Sequence, residues 1–422
     1  MYHTYSCVIH GLDKKDFVSL KRLTKFSSKI YNAGLYNINQ NFQQYNTYLA
    51  YSDNDKLLKS NINYKMLQAN CTQQILKRLE AAFESYFKLL DKKKSENYEK
   101  VVKPPNYNKL KSYPIIIAGL YVKRQVKNIK NGYFRIPLSK EYEKKFGKTN
   151  IYIKWPKING LDLNDLKEVQ IFWTGCCFKA NFVLIQHKQL VNLNSNDCLA
   201  IDFGVNNLAT CVSTVGTPFI IDGRGVKSIN QGWNKRKAWL QSKLPNGQHD
   251  SKQIRRITQN RNNCINDYIK KTAKIIIDFC LQNQIGNIIL GSNVKFKVKS
   301  KLGKVNNQNF QTLPICKLRD QIVFNCKKYG INCIIQEESY TSKASFLDND
   351  NIPTYDSKCS KKYNFSGKRI RRGLYSSSNK IIINADVNGA ANIVRKCMQN
   401  GQLNNINLIK LSRGVSFYAQ AD

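Results

Sequence analysis

Acidic residues are scarce in this chain. Over 422 residues, 28 Asp and Glu face 68 Lys and Arg, a formal charge of +40 at pH 7. A folded protein so charged repels itself unless a polyanion neutralises it. Nucleic acid is therefore the expected partner, and a metabolic enzyme for a small neutral substrate is not expected. Long apolar runs are missing too: no stretch reaches 18 apolar residues, so no membrane-spanning helix is predicted. Met1-Tyr2-His3-Thr4-Tyr5 lacks a basic stretch followed by an apolar one, which predicts no secretory signal. No C-x-x-C pair occurs among the 13 cysteines, and many lie in apolar runs such as Ile331-Asn332-Cys333-Ile334-Ile335. Reduced, buried thiols in a cytoplasmic protein fit this usage better than disulfides or a zinc cage. There is no internal repeat. What the chain does have is core material, 42% hydrophobic and 11% aromatic residues, enough to exclude wholesale disorder and to fill two or three domains. Charge alone also suits a basic structural protein of a ribosome-like particle, because attraction to backbone phosphate carries no chemical information. Only a site can decide.

The pattern along the chain changes twice. A short strand ending at His10 precedes a helical stretch with Leu20, Leu23, Phe26, Ile30, Gly34 and Ile38 on one face. A second helix is expected from Met66 to Leu90, its basic residues, Lys77 and Arg78 among them, alternating with the apolar stripe and free to meet phosphate. A Lys-rich break follows over 91–111. Beyond it the period becomes two, and strands are expected at 132–136, 151–155, 169–173 and 179–185, the last two joined through Gly175-Cys176-Cys177. This reads as a small β-barrel interrupted early by a helical insertion. From Asp197 three antiparallel strands (199–203, 208–213, 218–222) lead into a long helix over 252–280 whose apolar face carries Ile254, Ile257, Cys264, Tyr268, Ile275 and Phe279. Strand 285–290, helix 315–328, strand 331–336 and a last helix from Asp386 complete an order expected of an RNase H-like α/β domain.

Three acidic positions stand where chemistry would need them. Asp202 closes the first of these strands before a glycine turn, Glu337-Glu338 closes the last, and Asp386 opens the final helix. Carboxylates gathered in an interior repel each other unless a cation lies between them. Hard oxygen ligands suit Mg²⁺ or Mn²⁺, which activate water and stabilise a leaving oxygen in phosphodiester hydrolysis. Each acid has a plainer reading: Asp386 as a helix N-cap, the Glu pair as a solvated strand end. Asp202 is harder to dismiss, since an unpaired charge at a core strand end is costly. Spacing alone does not bring the three together.

Ile201-Asp202-Phe203-Gly204-Val205-Asn206-Asn207-Leu208-Ala209-Thr210 resembles the first catalytic motif of TnpB (OrfB), the transposon-encoded RNA-guided DNA nuclease family related to type V CRISPR effectors. Glu338-Ser339-Tyr340-Thr341-Ser342-Lys343 and the segment from Asn384-Ala385-Asp386 to Ile393 are similar to its later motifs. Leu67-Gln68-Ala69-Asn70 to Phe87 and Pro105-Asn106-Tyr107-Asn108-Lys109 resemble its N-terminal half. The resemblance implies a multidomain α/β protein. Residues 1–12 and 105–196 would form a wedge-type β-barrel, 13–104 an inserted helical recognition domain and 197–422 a RuvC-like nuclease domain. It further implies a guide RNA with a structured scaffold, a double-stranded DNA target next to a short adjacent motif, Mg²⁺ or Mn²⁺ held by Asp202, Glu338 and Asp386, and a place in the bacterial cytoplasm at the nucleoid. Base pairing would read the sequence while the protein grips backbone shape. Arg255, Arg256 and Lys270 on the long helix would bind backbone.

Two departures from the family matter. Many relatives carry the second catalytic Glu after the middle strand, where this chain has Ile289-Leu290-Gly291-Ser292-Asn293 without an acid. The role is expected to have moved to the last strand, to Glu338 in preference to Glu337. Many relatives also carry two C-x-x-C pairs where residues 345–380 hold only Cys359, so no zinc is predicted there. Lys368, Arg369, Arg371 and Arg372 fill that degenerate insertion, either as nucleic-acid contacts or as a solvated basic loop. Three rival readings stay open: a nuclease-inactive RNA-guided repressor, a CRISPR-associated effector with the same chemistry, and a recombinase with a covalent Ser or Tyr, for which no motif organises a nucleophile.

Overall fold

A computed structural model describes residues 1–95, 101–125, 128–129, 131–156, 163–189, 191–292, 314–355, 362–371, 373–403, 407 and 416–418. The chain forms two compact units, Met1–Gln186 and His187–Asp422. Sheets and helices alternate in both, a multidomain α/β architecture.

In the first unit, β1 (Tyr2–Val8) leads into α1 (Lys14–Tyr45), α2 (Tyr51–Leu58), α3 (Ile62–Lys65) and α4 (Ala69–Ser95). Asp13 caps α1 by accepting from the Asp16 amide. The stripe of Leu20, Leu23, Ile30 and Ile38 is buried as the periodicity requires. Gly34 lets α1 and α4 approach closely, for a Cβ there would lie 2.6 Å from Leu76 Cδ2. Gly34→Leu is expected to cost about 1–3 kcal/mol through overpacking, read as a lowered denaturant midpoint with helicity retained. α4 runs to Ser95, beyond the expected break at 91, because Lys92, Lys93 and Lys94 in its last turn complement the helix dipole. β2 (Ile115–Ala118), which sequence patterning did not single out, is too short and too uniformly apolar to show a period. After α5 (Leu120–Lys123), β3 (Tyr133–Pro137), α6 (Lys140–Phe146) and β4 (Asn150–Lys154) come β5 (Leu166–Trp173) and β6 (Phe178–Ile185). The last two form the expected hairpin, with Gly175 at φ +95° in its turn. The strands make an antiparallel sheet, β1-β6-β5-β2, and a separate β3-β4 ribbon. Among the described residues they do not close into a barrel.

The second unit is built on a six-stranded sheet of order β11-β10-β7-β8-β9-β15. β7 (Asn194–Asp202), β8 (Asn207–Ser213) and β9 (Phe219–Asp222) are antiparallel, while β10 (Ile285–Ser292) and β11 (Asn332–Glu337) run parallel to β7. β15 (Ser416–Tyr418) pairs with β9 at the far edge. α7 (Arg224–Ser242), a helix that sequence patterning passed over, packs with α8 (Lys252–Gln282). Only Val226, Asn230 and Leu240 of α7 are buried, too few to mark a stripe. On α8 the buried face carries Ile254, Ile265, Tyr268, Ile269, Ala273, Ile276, Ile277 and Cys280, whereas Cys264 is exposed. The expected face is thus displaced by about one residue at Cys264, where polar Asn neighbours left its position ambiguous.

Strand alternation sorts the core. Leu199, Ile201, Ile288 and Leu290 face α8 and α9 (Ile315–Tyr329). Cys198, Ala200 and Ile289 face α10 (Ala385–Gln399) on the other side. Before α10, the basic segment expected as a loop contains a three-stranded sheet, β12 (Lys368–Arg371), β13 (Leu374–Ser376) and β14 (Ile382–Asn384). Tyr375 anchors it, buried and donating its hydroxyl to the Lys343 carbonyl. The described cysteines are free, and Cys71, Cys198, Cys211, Cys280, Cys326 and Cys397 are buried. No helix among the described residues is long and apolar enough to cross a membrane.

Candidate active site

Because β7, β10 and β11 run parallel, their carboxyl ends open at one edge of the sheet, where ligands of such sheets bind. Asp202 is the last residue of β7 and shares the face of Cys198 and Ala200, towards α10. Glycine at 389 leaves it room: a Cβ there would lie 3.2 Å from Asp202 Oδ2. Glu338 follows β11 and lays its carboxylate over Gly291 of β10, where a Cβ would come within 2.6 Å of Glu338 Oε2. Asp386 lies in the first turn of α10, but the helix is capped by Asn384, whose side chain accepts from the amides of Asp386 and Val387 at 2.9 and 3.2 Å. The Asp386 carboxylate is left to accept from Asn207 Nδ2 at 2.6 Å and to lie 3.6 Å from the Arg369 guanidinium.

Asp202, Glu338 and Asp386 line one cleft of about 1000 Å³, together with Asn207, Arg224 and Arg369. Among the described residues no group of three acid, His or Cys side chains is drawn together closely enough to hold a metal ion without movement. Glu337 is engaged elsewhere, ion-paired with the wholly buried Lys396 and accepting from the Ser339 amide at 2.7 Å. Of the basic residues singled out in the sequence, Arg369 reaches the cleft, while Lys368 and Arg371 stand exposed beside it on β12. Arg372 lies outside the described residues. Arg255, Arg256 and Lys270 are exposed along α8, with Arg255 paired to Asp250 at 2.6 Å. In the first unit, Lys77 sits 5.3 Å above the Tyr51 ring, and Arg78 is half-buried in an ion pair with Glu168.

The electrostatics follow from the geometry. Burial raises the pKa of Asp202 well above the usual carboxylate range, and the charges of Glu338 and Asp386 raise it further. Burial, then the Glu337 charge, lifts Glu338 to about 7, with Lys396 opposing. Burial also disfavours the Glu337 carboxylate, yet Lys396 and Ser339 outweigh it and hold this group below the usual range. A carboxyl raised in the folded state stabilises the fold while protonated. For the metal-free protein, the contribution of Glu338 is therefore present below its unfolded value of 4.5 and is lost as pH rises through about 7. The melting temperature of metal-free protein is expected to fall between these limits, and Glu338→Gln to flatten that slope; a thermal melt at stepped pH checks it.

Sequence reasoning missed several partners. Asn207 and Asn384 lie inside quoted motifs, so their polar side chains beside Asp202 and Asp386 were visible signals. Lys396 was signalled by its place in the Arg395-Lys396 pair, set among Ile393, Val394 and Cys397 in a helix otherwise expected to pack. Gly291 and Gly389 had none, because the space that they leave is defined only by what crosses it.

A family model described as OrfB_IS605, probable transposase, matches residues 182–297, a segment containing Asp202 but neither Glu338 nor Asp386. No curated protein sequence matches the chain. Among solved structures, a Cas12f1–sgRNA–target DNA complex shares the fold at TM-score 0.57 and 17% identity, covering 89% of this chain and 82% of that one. The mini-RNA-guided endonuclease CRISPR-Cas_phi3 aligns over 94% of this chain and 92% of its own, at 9% identity and TM-score 0.47. Over residues 182–297, across the first of the acidic motifs, the chain is thus similar to the OrfB_IS605 probable transposases, and over most of its length it shares the fold of the Cas12f1 structure.

Proposed function

We propose that this protein is an RNA-guided DNA endonuclease that hydrolyses phosphodiester bonds with divalent metal ions. The observation carrying the proposal is the meeting of Asp202, Glu338 and Asp386, from three distant segments, in one cleft at the carboxyl edge of the sheet. The donor set fits a hard cation, all oxygen, with Asp202 driven towards its neutral form by burial and by the charges of Glu338 and Asp386. Three carboxylates lining an open cleft suit ions that complete their coordination with water and substrate phosphate. Bound there, Mg²⁺ or Mn²⁺ would activate water and stabilise the leaving oxygen. Asp202, Glu338 and Asp386 would hold them. Asn207 orients the Asp386 carboxylate through its 2.6 Å hydrogen bond, and Arg369 and Arg224 offer positive charge to a phosphate entering the cleft. Glu337, occupied by Lys396, is outside this ligand set.

The net charge of +40 supports a guide RNA with a structured scaffold and a double-stranded DNA target as partners. In this reading residues 197–422 form the RuvC-like, RNase H-like nuclease domain, with 345–380 a degenerate zinc-finger-like insertion. Residues 1–12 and 105–196 form the wedge-type domain, an open sheet and a ribbon among the described residues, and 13–104 form the recognition domain. The protein would act in the bacterial cytoplasm, at the nucleoid.

The protein co-expressed with its flanking non-coding DNA tests this. RNA that co-purifies is sequenced, and the ribonucleoprotein is given a plasmid bearing the matching target, with Mg²⁺ or with EDTA. Cutting that needs both the guide and Mg²⁺ is expected. Guide-dependent binding without cutting would replace this reading with an RNA-guided repressor.

A further inference from the structure

α10 presents a polar stripe to the segment that follows β11. Asn388, Asn392, Arg395 and Lys396 recur at intervals that place them along one side of a helix. Asn388, Asn392 and Lys396 are fully buried. Asn388 donates to the Ala344 carbonyl at 2.8 Å and accepts from the Phe346 amide at 2.9 Å. Asn392 donates to the carbonyls of Thr341 and Ala344 at 2.9 and 2.7 Å. Arg395 donates to the Asp350 carbonyl at 2.9 Å. Lys396 ion-pairs with Glu337 and donates to the carbonyls of Ser339 and Pro353 at 2.8 and 3.0 Å.

A helix that needed only to pack would bury apolar side chains, since a buried ammonium and two carboxamides cost free energy unless every group is satisfied. Here their hydrogen bonds go largely to the backbone of one irregular segment. That segment begins at Glu337 and Glu338, and the helix that grips it begins at Asp386. We propose that this stripe is a positioning device for a metal site: it clamps residues 337–353 to α10 and so sets the separation of the Glu338 and Asp386 carboxylates. The proposal rests on the nuclease reading above. None of the four residues lines the cleft, so they act through Glu338 and not on substrate.

Full-length Asn392→Ala and the double variant Lys396→Met/Glu337→Met, which leaves neither buried partner unpaired, are compared with wild type. Mn²⁺ binding is titrated calorimetrically, unfolding is followed by thermal melting, and guided plasmid cleavage is measured across Mn²⁺ concentrations. Both variants are expected to raise the Mn²⁺ dissociation constant roughly 10–100-fold, as loss of outer-shell support does. Cleavage should recover at saturating Mn²⁺, with guide-RNA binding unchanged. Unaltered Mn²⁺ affinity in both variants, whatever their melting temperatures, would overturn the proposal and leave the stripe a stabilising feature alone. Wild-type protein that binds no Mn²⁺ and cuts no DNA would overturn the nuclease reading, and this proposal with it.

Discussion

Asp202→Ala is expected to abolish guided DNA cleavage, a loss on the order of 10³-fold or more, about 4 kcal/mol of transition-state stabilisation. Guide-RNA binding should be unchanged. The size of the effect follows from position. Asp202 ends the central strand, its side chain is half-buried at the floor of the cleft beside α10, and its charge is opposed by both other acids of the cleft. On the proposed reading, removing it would take away a carboxylate that both neighbours repel, and with it a main reason for a cation to bind between them. The fold should survive, because the metal-free protein loses a strained charge rather than a packing group. Glu338→Ala should lose activity to a similar degree. The check is plasmid cleavage by matched ribonucleoproteins in Mg²⁺, with RNA binding measured in parallel; wild-type cutting by Asp202→Ala would sink the assignment.

Substitution of Gly291 should have the next largest effect. A Cβ at this position would lie 2.6 Å from Glu338 Oε2, 2.8 Å from Ile393 Cδ1 and 3.2 Å from the Ile201 carbonyl. The first two are ends of flexible side chains, so Gly291→Ala can fold. Its methyl group does so by pushing the Glu338 carboxylate off its place. A displacement near 1 Å at a reacting centre costs about 10²-fold in rate, and that loss is expected here, with the melting temperature nearly unchanged. The same contact explains why an acid is missing from this strand: a side chain at 291 and the Glu338 carboxylate claim one volume. Gly291→Glu combined with Glu338→Gly should therefore cut better than Glu338→Gly alone, since the carboxylate returns to that volume from the neighbouring strand. Steady-state cleavage rates of the single and double variants decide it, and equal rates would argue against a shared position.

Much of this was legible in the sequence, and for identifiable reasons. The period of two in 166–185, the apolar runs at 198–201 and 285–290 and the long amphipathic stretch of α8 are local patterns, so their elements could be read directly. Elements with weak patterns could not. β2 is four residues long, α7 buries three residues over five turns, and β12 is exposed throughout its length. Their stability comes from neighbours remote in sequence, which no window contains.

The site divides in the same way. By itself the sequence determined the charge and three acidic positions at element ends, because composition needs no structure and strand ends and helix starts are local features. Only tertiary structure decided that the three acids share a cleft, since their proximity depends on β7 and β11 flanking β10 in parallel and on α10 crossing the same edge. It also divided the two glutamates, which sequence alternation could rank but not separate in role. Glu338 goes to the cleft because Gly291 leaves it space, and Glu337 is held away by a lysine 59 residues further along the chain. Steric room and ion pairing act between atoms, and only the folded chain places those atoms side by side.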